Sequence, residues 1–316
     1  KDAALLVEES ELGGRRPKGW SRHLLFGLGV AWSLFQLWAT ELGTLDPLRL
    51  RAVHLAFALA LAFLAYPGKR GPKDRVPLLD WALALLGALG ALYVVWDYYG
   101  ITQLRGGIPS DRDVVMGTLT LLVLFVASWR VVGPALPIIA SVFILYALTG
   151  PKGLIPYTLP SWLQLHAGSQ WGQLMGQLYT TAEGIWGVPL GVSATFVFLF
   201  VLFGALLEKA GAGHFFIQAA YALLGHFRGG PAKAAVVASA LTGVVSGSSV
   251  SNTVTTGTFT IPLMKRVGYP PEKAGAVEVA SSSNGQLMPP VMGAAAFIMA
   301  EFLNILLRTL DQRSRL

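Results

Sequence analysis

Lys233–Arg266 reads KAAVVASALTGVVSGSSVSNTVTTGTFTIPLMKR. Lys233 at one end and Lys265 and Arg266 at the other bracket two apolar stretches, Ala234–Val245 and Phe259–Met264. Between them lies Ser246–Thr256, rich in Ser, Thr and Gly. Each arm of such a hairpin has roughly 12 residues, about 18 Å of helix. The hydrocarbon core of a bilayer is about 30 Å thick. Basic residues at both ends hold both ends on one side. The pattern predicts a re-entrant hairpin over 234–264 that enters from the inner face and turns near mid-membrane. Polar, non-helical backbone at that depth survives only where it is buried in protein or lines a wet cavity.

The rest of the chain supports a membrane setting. Of 316 residues, 53% are hydrophobic and 13% charged, whereas soluble domains carry about a quarter charged residues. The apolar residues fall into blocks of roughly 15–20, enough for a helix to cross a bilayer. Helices satisfy their own backbone in lipid, and nothing alternates like the strands of an outer-membrane barrel. The absence of cysteine excludes disulfides, thiolate metal sites and cysteine nucleophiles. The net charge of +7 sits in short loops, which fits a membrane surface rather than nucleic acid.

Spans are expected at Leu24–Thr40, Ala52–Tyr66, Leu78–Trp96, Val114–Trp129, Val131–Thr149 and Ile185–Leu207. Residues 150–185 read as a long loop whose Trp162–Tyr179 part lies along the interface. His214–Arg228 reads as an amphipathic helix lying flat in the inner interface. A last segment, Ala274–Leu303, is interrupted by Ser281–Gln286 and by Pro289 and Pro290. Two prolines in mid-span remove hydrogen bonds and break a helix. The expected fold is therefore an all-α polytopic membrane protein. It has about seven spanning helices, one re-entrant helical hairpin and one interfacial helix. The domain reading is a polar segment 1–23, a four-helix membrane domain 24–130, a second domain 131–303 containing the hairpin, and an atypical tail 304–316.

The Lys/Arg bias sets the orientation. With the N-terminus cytoplasmic, the inner loops carry Arg15, Arg16, Lys18 and Arg22, then Lys69, Arg70, Lys73 and Arg75, then Arg130. The outer loops carry Arg49 and Arg51 with Glu41 and Asp46, then Arg105 and Arg112 offset by Asp97, Asp111 and Asp113.

The two polar clusters can do chemistry. Hydroxyls, amides and free carbonyls suit a hard cation such as Na⁺, and the N-termini of half-helices suit an anion. Broken helices meeting at mid-membrane are a recurring design of ion-coupled carriers. The candidate ion- and substrate-binding residues are Ser246, Gly247, Ser248, Ser249, Asn252 and Thr253 at the hairpin tip. Ser282, Ser283, Asn284, Gly285 and Pro289 would face them. Na⁺ is assigned to Ser246, Ser248 and Asn252. For any single serine, close helix packing is the better account. For two clusters at matched depth, each breaking a short helix, ion binding is the better account. Glu278 and Glu301 lie near span ends, and Glu183 reads as a solvated loop residue. Asp80 and Asp97 reach the interface by snorkelling. His54 is either a proton relay or a neutral packed side chain, and the latter is expected. The tryptophans read as interfacial anchors. No GxxxxGK[ST], HExxH or GxSxG motif occurs, and no intramembrane pair of acids or histidines suggests an enzyme.

Several stretches resemble the permeases of tripartite ATP-independent periplasmic (TRAP) transporters. They are 187–213 (GVPLGVSATFVFLFVLFGALLEKAGAG), 227–233 (FRGGPAK), 246–253 (SGSSVSNT), 261–269 (IPLMKRVGY) and 285–290 (GQLMPP). The resemblance covers about 130–302, with the motifs in order. Spans one to four are similar to the small membrane subunit, here in front of the large one. That arrangement resembles the fused 4TM/12TM permeases of the TAXI branch. The resemblance implies uptake coupled to Na⁺ or H⁺ and an elevator-type motion. It also implies a TAXI-type periplasmic solute-binding protein that delivers an organic acid, and a cytoplasmic-membrane location in a bacterium or archaeon. It places 246–253 in an inner re-entrant hairpin that contributes to ion and substrate binding. No organic cofactor is expected. The large subunit of the family has a second, inverted half, and the match stops near Leu303. A truncated, frameshifted or fragmentary permease domain is the expectation, and a non-transporting scaffold is the alternative function. The chain by itself is expected not to transport. Uptake into liposomes holding only this chain and its binding protein would contradict that.

Overall fold

The computed structural model describes residues 14–303, apart from residues 16, 44, 69–70, 158–159, 161, 164 and 290–292. The expectations for Arg16, Lys69, Arg70 and Pro290 lie outside the described residues. So do those for most of the polar segment before residue 23 and for the tail 304–316.

Secondary structure among the described residues is helical, with one isolated bridge between Thr149 and Ile155. We number the helices α1 (Trp20–Leu42), α2 (Pro47–Ala65), α3 (Leu78–Trp96), α4 (Asp111–Val131), α5 (Ala135–Leu148) and α6 (Trp171–Met175). There follow α7 (Val188–Lys209), α8 (Ala212–Leu224), α9 (Gly230–Ser246), α10 (Ser249–Arg266), α11 (Pro271–Ser282) and α12 (Ala294–Phe302). Five of them, α1 to α4 and α7, are long and apolar enough to cross a membrane. Their outward side chains are apolar: Phe26, Leu34, Leu85, Leu122 and Val201 are all exposed. Water would not tolerate apolar faces of this extent on a monomer, so the protein is a multi-pass membrane protein.

The expected fifth span is shorter than the sequence suggests. Gly133 has a left-handed φ of 105° and Pro134 caps a new helix, so α5 holds only 14 residues, about 21 Å. The chain divides into two compact units, one ending at Gly191 and one beginning at Val192, within α7. That division lies well beyond residue 130, where the sequence reading placed it.

In the first unit, α2 and α3 form the tightest pair. Ala52, Ala56, Leu59 and Phe63 pack with Ala84, Ala91 and Val94 in one core. Glycines set the approach: a Cβ on Gly87 would lie 3.1 Å from Leu59 Cβ and 3.0 Å from Val123 Cγ1. Gly117 leaves room for the ring of Tyr179, which a Cβ there would meet at 3.0 Å. Tyr179 is fully buried, and its hydroxyl donates to Gly90 O at 2.6 Å. Trp186, also fully buried, donates from Nε1 to Tyr179 O at 2.6 Å. Arg51 then donates to Trp186 O at 2.7 Å. The segment around Tyr179 is thus a plug between α3 and α4, not an interfacial strip, and Trp186 is not an interfacial anchor. This plug is why the unit extends past α4. Trp20, Trp96 and Trp162 are exposed as the anchor reading expects, and so is Glu183.

Both ends of this unit are pinned by charges. At one end Asp80 is buried between Arg15 and Arg130, with Arg130 Nη1 at 2.6 Å. Arg15 also donates to Phe63 O at 2.8 Å. Asp80 therefore does not snorkel; its two arginines neutralise it in place. At the other end Arg105 joins Asp97 (2.5 Å) and Asp113 (3.0 Å). Ser110 and Asp113 cap α4 reciprocally. The two groups lie at opposite ends of α3, Asp80 in its first turn and Asp97 just past its last residue. His54 is buried and accepts from Trp32 Nε1 at 3.3 Å. Accepting at Nδ1 requires that nitrogen to be unprotonated, which fits the packed, neutral reading.

The second unit winds around α9, which packs against α7, α8, α10 and α11. Small residues make this possible: Ala234, Ala235, Ala238, Ser239, Thr242 and Gly243 are buried on α9. The α9–α10 hairpin differs from the expected one. Its arms have 17 and 18 residues, about 26 Å each, and only Gly247 and Ser248 lie between them. The stretch 249–256 is helix, not tip. Threonines bonding their own helix at i−4 carry it through: Thr253 to Ser249 O and Thr256 to Asn252 O, both at 2.8 Å. On α8, Ile217 and Ala220 face α9, whereas Phe215 and Leu223 are exposed. The final segment is broken as expected, into α11, a 3₁₀ turn at Ser283–Gln286, and α12. Phe297 of α12 stacks on Phe196 and Phe200 of α7.

Asp80→Ala leaves two arginines without their counter-charge, one of them fully buried. The expected loss is about 3–5 kcal/mol, read by thermal or denaturant unfolding in detergent. Asp97→Ala removes a pair about a quarter to a third exposed and should cost less than about 1 kcal/mol.

Candidate functional site

The two polar clusters come together in the second unit, through glycine. A Cβ on Gly243 of α9 would lie 2.7 Å from Gly285 Cα in the 3₁₀ turn, so the two backbones touch. A Cβ on Gly285 would lie 3.2 Å from both Asn252 Nδ2 and Ser248 O. The turn that interrupts the last segment therefore rests on the start of α10. Gln286 Nε2 completes the seam by donating to Ser249 Oγ at 3.2 Å.

Asn252 is the centre of this contact and is fully buried. Its Nδ2 donates to Ser239 O at 2.8 Å and to Ser239 Oγ at 2.9 Å. Its Oδ1 is buried and has no hydrogen-bond partner among the described residues. Thr242 Oγ1, one turn along α9 from Ser239, is likewise buried and unpaired. A buried oxygen without a donor is costly. Two of them on one hairpin suit a ligand that brings positive charge or N–H or O–H groups. Ser246 Oγ donates to Ser248 O at 3.3 Å and keeps lone pairs free. Gly247 takes the left-handed conformation, φ 60°, that ends α9, and donates to Gly243 O at 3.1 Å. Ser246, Ser248 and Asn252 thus offer oxygen donors of the kind Na⁺ takes, and Asn252 Oδ1 is the one most in need of such a partner.

The remaining candidates divide. Ser282 is fully buried, but its hydroxyl is engaged by Ser239 Oγ (3.4 Å) and by Glu278 (3.2 Å). It belongs to the surroundings of that carboxylate, apart from the unpaired Asn252 oxygen. Asn284 is half-buried, with its carbonyl capping Leu287 and Met288 at 2.9 Å. Ser283 is exposed and bonds Val279 O, Thr253 bonds its own helix, and Pro289 is exposed. These three are not brought to the contact.

Glu278, like Asp80, was misplaced from sequence. It does not lie near a span end. It is fully buried, and its Oε1 and Oε2 accept from Thr256 and Thr260 of α10. A Cβ on Gly257 would lie 3.1 Å from Glu278 Cγ, so glycine again admits the approach. The signal was present: Asn252, Thr256 and Thr260 recur every fourth residue, and Ala274, Glu278 and Ser282 do the same on α11. Two stripes of this period face each other across a helix pair.

A family model described as the DctM component of the tripartite ATP-independent periplasmic transporter matches residues 119–310. A C4-dicarboxylate TRAP transporter large permease protein from Rhodobacter capsulatus is 37% identical over 91 residues, 29% of this chain and 21% of that protein. The protein of the same description from Pseudomonas aeruginosa has the same identity and coverage. An ectoine TRAP transporter large permease protein from Halomonas elongata is 27% identical over 146 residues, 45% of this chain and 34% of that protein. The matched stretch thus spans between a fifth and about a third of the length of these curated relatives. No solved structure matches the chain.

Gly243→Ala drives a Cβ into the Gly285 backbone and should destabilise the protein by about 1–3 kcal/mol. Gly275→Ala, with nothing within 4 Å of the new methyl, should stabilise it by up to about 1 kcal/mol through helix propensity. Thermal unfolding of both variants checks the opposite signs.

Proposed function

Since the chain belongs to the DctM-component family of the TRAP transporters, a family of transporters and not of enzymes, we propose that it supplies the ion- and substrate-binding hairpin of a membrane permease. In this reading the permease takes up organic acids delivered by a periplasmic solute-binding protein of TAXI type, driven by Na⁺ or H⁺. The protein sits in the cytoplasmic membrane with its N-terminus cytoplasmic. The cluster Arg15, Lys18, Arg22 and Arg130 at one end of the first unit supports that orientation through the positive-inside bias. In this reading both ends of the α9–α10 hairpin lie at the cytoplasmic face, as its flanking Lys233 and Lys265 favour.

The observation that carries the reading is the buried, unpaired Oδ1 of Asn252 at the contact of the hairpin with the broken helix. Asn252, Ser248 and Ser246 would hold the cation. A bound cation would offset the charge of an organic acid beside it, so that neither enters a dry site alone. The chain's own groups do the positioning. Ser239 fixes the Asn252 amide so that its nitrogen faces α9, and Gly285 leaves the space beside it.

The test uses the intact permease that contains this chain. In excess Na⁺, its thermal unfolding should lie several degrees above that in choline. A roughly hundredfold excess over Kd contributes about 2.7 kcal/mol, on the order of 5 °C for a protein of this size. Asn252→Ala and Ser248→Ala should each abolish the difference. Equal stability in the two salts, with no uptake in either, would leave the scaffold reading in its place.

A further inference from the structure

Glu278 is an acidic side chain fully buried in the second unit, and no cation accompanies it. Among the described residues, none of the salt bridges includes it. The charged residues of the elements packed around it are Lys233 on α9, Lys265 and Arg266 on α10, and Glu272 and Lys273 on its own helix. All are exposed. From α8 the titratable group within electrostatic reach is the half-buried Tyr221. The 3₁₀ turn brings no charge. An ionised carboxylate in this position is held only by hydroxyls: Thr256, Thr260 and Ser282.

Those hydroxyls have a second choice. Thr256 Oγ1 lies 2.8 Å from Asn252 O, and Thr260 Oγ1 lies 3.0 Å from Thr256 O. A hydroxyl has one hydrogen and two lone pairs, so each threonine donates either to the carboxylate or to its own helix, not to both at once. With Glu278 ionised, both hydrogens point at the carboxylate. With Glu278 protonated, one threonine turns its hydrogen to the i−4 carbonyl and accepts the carboxyl O–H on its oxygen. Every group is satisfied in both states, and no backbone needs to move. A carboxylate fixed for structure alone would be expected to have a cation.

We propose that Glu278 is a proton-binding site of this permease, with Thr256 and Thr260 as the switching donors. The proton comes from bulk water, forms an O–H bond on one carboxylate oxygen, and returns to water when that bond breaks. The inference rests on the transporter reading only for its purpose, since the site itself can be measured without transport. If it serves transport, H⁺ is a coupling ion here, at a place separate from Ser246, Ser248 and Asn252.

Infrared difference spectra of the purified intact permease, recorded on pH jumps from about pH 5 to about pH 9, test it directly. The wild type should show a protonated-carboxyl band that titrates. Glu278→Gln should lose it, and Glu301→Gln, altered at an exposed position, should keep it. A band unchanged in Glu278→Gln, or absent from the wild type, overturns the proposal. Should Glu278→Gln not fold, Thr260→Val takes one donor from the ionised form and should move the wild-type profile to higher pH. An unmoved profile likewise counts against the site. In proteoliposomes with the binding protein, an inward proton gradient should stimulate uptake by wild type and by Glu301→Gln. The stimulation should be lost in Glu278→Gln. Stimulation that survives in Glu278→Gln overturns the coupling role. Absence of wild-type uptake under any gradient would defeat the transporter reading instead, and the infrared band would still decide the proton site.

Discussion

A hydroxyl inside a membrane helix can bond the carbonyl one turn back on its own helix, and much of this protein depends on that bond. Ser33, Thr118, Ser141, Thr253 and Ser281 all make it, in both units. The bond needs no partner from another helix, so a helix can carry hydroxyls into a dry interior at little cost. It also sorts the polar residues. Those that only serve their own helix are structural. Ser239, Ser282, Thr242 and Asn252 do otherwise: they reach across to another helix or have buried polar atoms left over. These departures gather around the contact between α9, α10 and the broken segment.

The same bond explains what the sequence could and could not disclose. Apolar blocks mark helices well, and the third span was read at its observed limits, Leu78–Trp96. The hairpin and the broken last segment were both legible, as was the meeting of Asn252 with Gly285. The extent of the tip was not, because Ser and Thr were read as ending a helix when their self-bonding continues it from Ser249. Glu278 was placed by its distance along the chain, although the fourfold stripe it shares with Ser282 governs its burial. The Tyr179 plug was hidden for another reason. Gly90 and Gly117 look like ordinary helix glycines, and only the assembled α3–α4 pair shows that Gly117 makes room for the ring and Gly90 for Thr120, while the Gly90 carbonyl accepts from the Tyr179 hydroxyl.

The unit that ends at Gly191 and the family match that starts at residue 119 overlap along α4, α5 and the plug. Sequence kinship and physical compactness therefore divide this chain at different places. Arg51, Trp186, Tyr179 and Gly90 form one chain of hydrogen bonds within the first unit. That linkage ties matched residues to unmatched ones, so residues 119–191 cannot be expected to fold alone.

The Gly243–Gly285 contact has a mechanical side. Most helix contacts interlock through side chains, and sliding one past another means lifting knobs out of holes and crossing rotamer barriers. Two glycines present bare backbone, with no rotamers to unlock. At this point the turn at 283–286 meets α9 with no side chain between them, and Gln286 on Ser249 holds it in register instead. The fit is backbone on backbone, and a single methyl group is enough to wedge it apart.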